Sequence, residues 1–162
     1  MDHPLVYVVD DDRSVREAIV DLLNSVALEA KSFESPIALI AETLPDRPSC
    51  IGSDVRMPNM GGLEFQRMLS ERGLSIPLIL ITAHGDVPMS VAAMKAGAVD
   101  FLTKPFREQD LLDAIQRAIG IDSLQRTESR RRRELKQRFD TLTEGEQAVF
   151  HWVCTGLLNK QI

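Results

Sequence analysis

Along the first 120 residues, short apolar runs alternate with stretches whose apolar residues recur at helical spacing. The runs cover residues 5–9, 49–51, 77–81 and 99–102, with a weaker one at 28–33, each bounded by Pro, Gly, Asp or Ser. Between them lie four helical patterns: Val15, Ile19, Leu22, Leu23 and Val26; Leu63, Phe65, Met68 and Leu69; Val87, Val91 and Met94 with a break at Gly97; and Leu111, Leu112, Ile115 and Ile119. Strands that read as continuous apolar runs are buried on both faces, and strict strand–helix alternation builds right-handed βαβ units. The pattern predicts an α/β fold, a doubly wound five-stranded parallel sheet in a domain spanning residues 1–121, and the flavodoxin-like order 2-1-3-4-5 is the arrangement expected of such a sheet.

After Gly120 the texture changes. Residues 122–140 are strongly polar, with arginine at every position from 130 to 133, yet Leu124, Leu135, Phe139 and Leu142 suit one helix face. We expect a helical linker over 122–140, either continuous with the preceding helix or broken at Gly120. Thr143 followed by Glu146 has the form of a capping box. A short helix with Val149, Trp152 and Val153 on one face should follow, stopped at Gly156. Residues 159–162 read as the start of a further helix, so 141–162 looks like the opening of another domain.

Charge divides along the same line. The formal net charge is −5, with −8 in residues 1–122 and +3 in 123–162. An acidic body does not bind nucleic acid through bulk charge, whereas a basic tail has that option. For the arginine run, a solvated helix face is the more ordinary role. No apolar run approaches the ~18 residues of a membrane span. No basic region followed by an apolar stretch opens the chain, and Cys50 and Cys154 form no metal or disulfide pattern. The expectation is a reduced, cytoplasmic protein.

The candidate chemistry gathers at strand ends. Asp10, Asp11 and Asp12 follow the first strand and Asp54 ends the third. In the expected strand order these strands are neighbours, and ligands bind at the carboxyl edge where the order reverses. Clustered carboxylates repel and raise one another's pKa. A hard cation with oxygen ligands, Mg²⁺ above all, relieves this and favours phosphoryl chemistry. Asp12 serves equally well as a helix N-cap. Thr82 closes the fourth strand, where its hydroxyl has the choice of a phosphoryl oxygen or a helix cap. Lys104 and Pro105 close the fifth. A lysine there offers positive charge to a phosphoryl group, although a surface lysine before a turn proline is the plainer reading. A cis Lys104–Pro105 bond would aim the ammonium inward.

The stretches Val8-Val9-Asp10-Asp11-Asp12, Asp54-Val55-Arg56-Met57-Pro58, Thr82-Ala83 and Lys104-Pro105-Phe106 resemble the receiver domain of two-component response regulators. Residues 82–106 resemble the NarL/FixJ group in particular, and the resemblance covers residues 4–120. It implies that Asp54 accepts a phosphoryl group from a sensor histidine kinase. It also implies that Asp11, Asp54 and the Arg56 backbone carbonyl bind Mg²⁺ directly while Asp10 acts through water. Thr82 and Phe101 become switch residues and Lys104 the phosphate-contacting cation. From the residues alone, Phe101 is simply a core strand position. The resemblance further implies phosphorylation-dependent homodimerisation through the fourth helix and fifth strand, to which Met89, Val91 and Met94 bring apolar material.

Residues 142–162 resemble the opening of a LuxR-type helix-turn-helix, whose DNA-reading helix comes later. The implied activity is therefore transcription regulation, with DNA as a partner only where that output domain is present. The chain would be no enzyme toward a separate substrate, catalysing only its own phosphoryl acceptance and slow hydrolysis at Asp54. A stand-alone receiver acting as phosphate sink or dominant-negative partner is the alternative. A phosphotransferase or phosphatase with an aspartyl intermediate tends to carry a second acid two residues after the nucleophile, where this chain has Arg56. A flavin binder would want a Ser/Thr/Gly-rich loop where three aspartates stand. One departure from the family's pattern is Gly52-Ser53, which puts a glycine and a serine where relatives carry buried apolar residues and raises a question over the third strand.

Overall fold

A computed structural model of the chain describes residues 3–156. The chain divides into two compact units, Met1–Leu124 and Gln125–Ile162. In the first, β1 (Leu5–Val9), α1 (Arg13–Ser25), β2 (Glu29–Phe33), α2 (Pro36–Ile40), β3 (Ser49–Asp54), α3 (Gly62–Glu71), β4 (Leu78–Thr82), α4 (Val87–Lys95) and β5 (Asp100–Thr103) follow one another. α5 (Glu108–Asp140) begins there and α6 (Glu144–Cys154) lies in the second. The sheet is wholly parallel in the order β2-β1-β3-β4-β5. This is the doubly wound arrangement the alternation predicts.

The continuous apolar runs are explained by two cores. On one face Leu5, Tyr7, Val9, Ile51, Leu78 and Leu80 pack with Leu39, Phe65, Leu69 and Ala93 from α2, α3 and α4. On the other, Val6, Val8, Cys50, Ile79 and Ile81 pack with Ile19 and Leu23 of α1 and with Leu111, Ala114, Ile115 and Ala118 of α5. All five residues of β1 are buried, which accounts for its unbroken apolar run. β2 is an edge strand whose residues are mostly exposed, which is why its apolar signal is weak. α2 is only five residues long, too short for a helical period, and the sequence patterns do not mark it. Ser35 caps it by accepting the Ala38 N–H at 3.2 Å, with Pro36 at the first position.

β3 is intact across Gly52-Ser53. All six of its residues are buried and it pairs with β1 and β4. A Cβ added at Gly52 would meet only Ile81 Cδ1, at 3.8 Å, an ordinary contact. The Ser53 hydroxyl donates to the Asp54 carbonyl at 3.0 Å, so its burial strands no donor.

α5 continues through Gly120 without a break. Asp122 on α5 is buried, its Oδ2 accepting the N–H of Ser49 at the start of β3 at 2.8 Å. In the second unit, Phe139 and Phe150 meet edge-on with ring centroids 5.5 Å apart. The capping box forms as the sequence predicts: Thr143 Oγ1 accepts the Glu146 N–H, and Glu146 Oε2 accepts the Thr143 N–H. α6 ends before Gly156, whose φ of +74° suits a residue without Cβ. The further helix expected at 159–162 lies outside the described residues. Among the described residues, no helix is long and apolar enough to cross a membrane.

Candidate functional site

Register brings the carboxylates together. Val9 pairs with Ser53 across β1 and β3, so the next residues, Asp10 and Asp54, emerge side by side at the carboxyl edge. Asp10, Asp11 and Asp54 each offer a carboxylate oxygen, and these oxygens lie within 4.8 Å of one another. Asp10 and Asp54 are buried while Asp11 is exposed. Asp12 stands apart as the N-cap of α1, accepting the N–H of Ser14 at 2.8 Å and of Val15 at 3.4 Å, so its plainer reading holds.

Lys104 completes the cluster from the other side. Thr82 pairs with Thr103 across β4 and β5, and the Lys104 N–H donates to the Thr82 carbonyl at 2.7 Å. The Lys104–Pro105 bond is cis. Lys104 Nζ donates to Asp10 Oδ2 at 2.9 Å and stands 3.6 Å from Asp54 Oδ1. Asp10 Oδ1 accepts the Asp12 N–H at 2.9 Å. Both Asp10 oxygens are thus engaged by the chain itself, whereas the exposed Asp11 faces solvent.

The electrostatics follow from burial. Desolvation pushes the Asp54 carboxyl above its ordinary value, with Asp10 and Asp11 adding repulsion, against the pull of Lys104 and the Val55 N–H. Burial disfavours the Lys104 charge, but the hydrogen bond and charge of Asp10 and the charge of Asp54 outweigh it and hold its pKa above the usual lysine value. Cys50 is no competing nucleophile, since burial, helped by Asp122, pushes its thiol up to about 12.

The two expected switch residues lie on the adjacent strands β4 and β5. Thr82 is fully buried at the end of β4, and its Oγ1 accepts the His84 N–H at 3.2 Å. Phe101, in β5, is half-buried against the core. The loop between β4 and α4 presses on both: a Cβ on Gly85 would stand 2.7 Å from Phe101 Cε1 and 3.0 Å from Thr82 Cγ2. Arg56 follows Asp54 by two residues with its side chain exposed. Two contributors escaped the sequence reading. Arg16 Nη1 donates to the carbonyls of Asp10, at 2.6 Å, and Asp11, at 3.1 Å, tying down the acidic loop. Gly62 lets α3 approach Asp54, since a Cβ there would lie 2.8 Å from the Asp54 carbonyl oxygen. Neither carries a local signal, because each depends on what folding brings across the loop.

A carboxylate trio with an opposing lysine thus stands at the carboxyl edge of a 2-1-3-4-5 sheet, at its switch point. The chain belongs to the response regulator family, for residues 6–116 match the response regulator receiver domain. It is 48% identical over 158 residues to Nodulation protein W of Bradyrhizobium diazoefficiens, covering 98% of this chain and 70% of that one. It is 39% identical over 157 residues to the transcriptional regulatory protein FixJ of Rhizobium meliloti, covering 97% and 77%. Among solved structures, the response regulator StyR superposes with a TM-score of 0.87 at 44% identity, over 98% of this chain and 80% of that one.

Proposed function

We propose that this chain is a phosphorylation-switched receiver in which Asp54 accepts a phosphoryl group from the phosphohistidine of a sensor kinase. The observation that carries the reading is the placement of Asp54: a buried carboxylate, raised in pKa, with Lys104 Nζ 3.6 Å away and Asp11 beside it. An Asp54 oxygen attacks phosphorus, the O–P bond forms as the N–P bond to the histidine breaks, and the imidazole leaves. Lys104 balances the added negative charge and Thr82 offers its hydroxyl to a phosphoryl oxygen. Acceptance and slow hydrolysis are self-catalysed at Asp54, with no separate substrate turned over.

The donor set fits Mg²⁺, an oxygen-seeking cation. Asp11, Asp54 and the Arg56 carbonyl would hold it. Asp10, with both oxygens already engaged, would act through water. When bound, the ion offsets carboxylate repulsion and draws charge from the phosphoryl oxygens.

Thr82 moving toward the phosphoryl group makes room for Phe101 to turn inward, biasing the surface of α4 and β5. Val87, Val91 and Met94 are exposed on α4, which suits homodimerisation through that face, while Met89 packs into the core. In a protein that carries the DNA-reading helix, dimerisation would control transcription, as the name of the FixJ relative indicates for that protein. The test is acetyl phosphate with Mg²⁺, followed by intact mass and gel filtration. A single phosphoryl adduct lost in Asp54→Asn, with a shift to dimer size, is expected; an adduct that persists in the variant refutes the assignment.

A further inference from the structure

Gln66 on α3 is a polar side chain only 7% exposed. Its Nε2 donates across to the Ala93 carbonyl of α4 at 3.2 Å, while its Oε1 is buried with no hydrogen-bond partner. Turning the amide over would set Oε1 against the Ala93 carbonyl, oxygen against oxygen, so the orientation is fixed. The Ala93 carbonyl does not depend on Gln66, because it also accepts the Ala98 N–H at 3.1 Å. A groove of about 290 Å³ lined by Leu63, Gln66, Arg67, Ser70, Ala92 and Ala96 runs along this same α3–α4 contact.

An unpaired buried acceptor loses its full hydration, whereas one intramolecular hydrogen bond returns only a modest net gain. Gln66 therefore makes the observed seat of α4 less favourable than an apolar side chain of the same size would. Four of the groove's lining residues, Arg67, Ser70, Ala92 and Ala96, are exposed, so a small displacement of α4 would let water in the groove reach Oε1. We infer that Gln66 is a positioning residue that spring-loads α4: it marks the resting seat with one hydrogen bond and lowers the cost of leaving that seat through its stranded carbonyl.

The inference rests on the reading of Asp54 as phosphoacceptor for what drives α4, but not for the behaviour of the resting protein. The variants are Gln66→Met and Gln66→Leu in the full chain, with amide hydrogen exchange of α4 followed during titration with beryllofluoride and Mg²⁺. Without beryllofluoride, α4 exchange should slow about fivefold in both variants, with no loss of melting temperature, the size expected of a net penalty from one stranded carbonyl. The beryllofluoride midpoint for the α4 response should rise by a similar factor. A residue that merely holds the fold together would do the opposite: exchange quickens, melting drops and the midpoint stays or falls, and that result overturns the inference, as does no change at all. If wild type itself fails to respond to beryllofluoride, the Asp54 reading falls, while exchange in the resting variants still decides the role of Gln66.

Discussion

The Asp122 carboxylate, on the long helix α5, accepts the backbone N–H of Ser49 at 2.8 Å, with Asp122 itself only 3% exposed. Ser49 is the first residue of the strand whose last residue is Asp54. One side chain thus fixes the entry of β3 to α5, at the opposite end of the strand from Asp54. Asp122→Ala would leave a buried N–H without its acceptor and should cost about 1–3 kcal/mol in urea unfolding. Asp122→Asn keeps an acceptor and should lose much less. Equal losses in the two variants would mean that the carboxylate charge, rather than the Ser49 bond, matters.

Asp54 is raised in pKa by burial and by its acidic neighbours. A carboxyl raised in the folded state binds its proton more tightly folded than unfolded, so stability is lost as pH rises from the unfolded value through the folded one. Asp54→Asn should accordingly be more stable than wild type at neutral pH. The gain should shrink as pH falls through the folded pKa and vanish near the ordinary carboxylate value of about 4. Denaturant melts across pH measure it, and a variant no more stable than wild type at pH 7 contradicts the electrostatic account.

Lys104 is the positive partner of two buried carboxylates. Breaking a fully buried pair costs ~3–5 kcal/mol, and the partial exposure of Lys104 lowers this to about 1–3 kcal/mol for Lys104→Met. Mg²⁺ should restore more stability to the variant than to wild type, since binding to the folded state alone stabilises by linkage and no ammonium then competes for the carboxylates. Thermal melts with and without Mg²⁺ read the difference; equal increments would show that lysine and metal do not share the site.

Two glycines separate backbone need from mere absence of a side chain. A Cβ at Gly62 would press on the Asp54 carbonyl oxygen, on Leu80 Cδ2 and on Val55 Cα, all within 3.0 Å. Gly62→Ala should cost about 1–3 kcal/mol and slow phosphorylation by moving Asp54. Gly52→Ala has room and should gain about 0.5–1 kcal/mol from reduced backbone freedom in the unfolded chain. Reversal of the two signs would undo the packing account of this edge.

The parallel sheet was legible because β1 and β4 bury every residue, and doubly covered strands write themselves as apolar runs; burial alone does not write their order. Asp10, Asp54, Thr82 and Lys104 were legible because strand ends concentrate ligands at a known edge. Gly52-Ser53 raised a doubt that the structure dissolved: the strand stays buried and paired through the glycine, and the serine satisfies itself locally. Arg16, Gln66 and Asp122 were not legible. Each acts by meeting a backbone group, and main-chain atoms leave no trace in residue identity. The continuity of α5 was open for a similar reason, since a glycine inside a helix costs only about 1 kcal/mol and neighbouring turns can carry it.

The bare backbone at Gly85 has a consequence for how the module tolerates change. Because the loop, Phe101 and Thr82 share one small volume there, they are geared parts with a common clearance. A methyl group at position 85 would act as a wedge, pressing on the Phe101 ring and the Thr82 methyl together without touching a single carboxylate. On the proposed reading, a residue that holds no part of the carboxylate cluster would still set how freely Phe101 and Thr82 move.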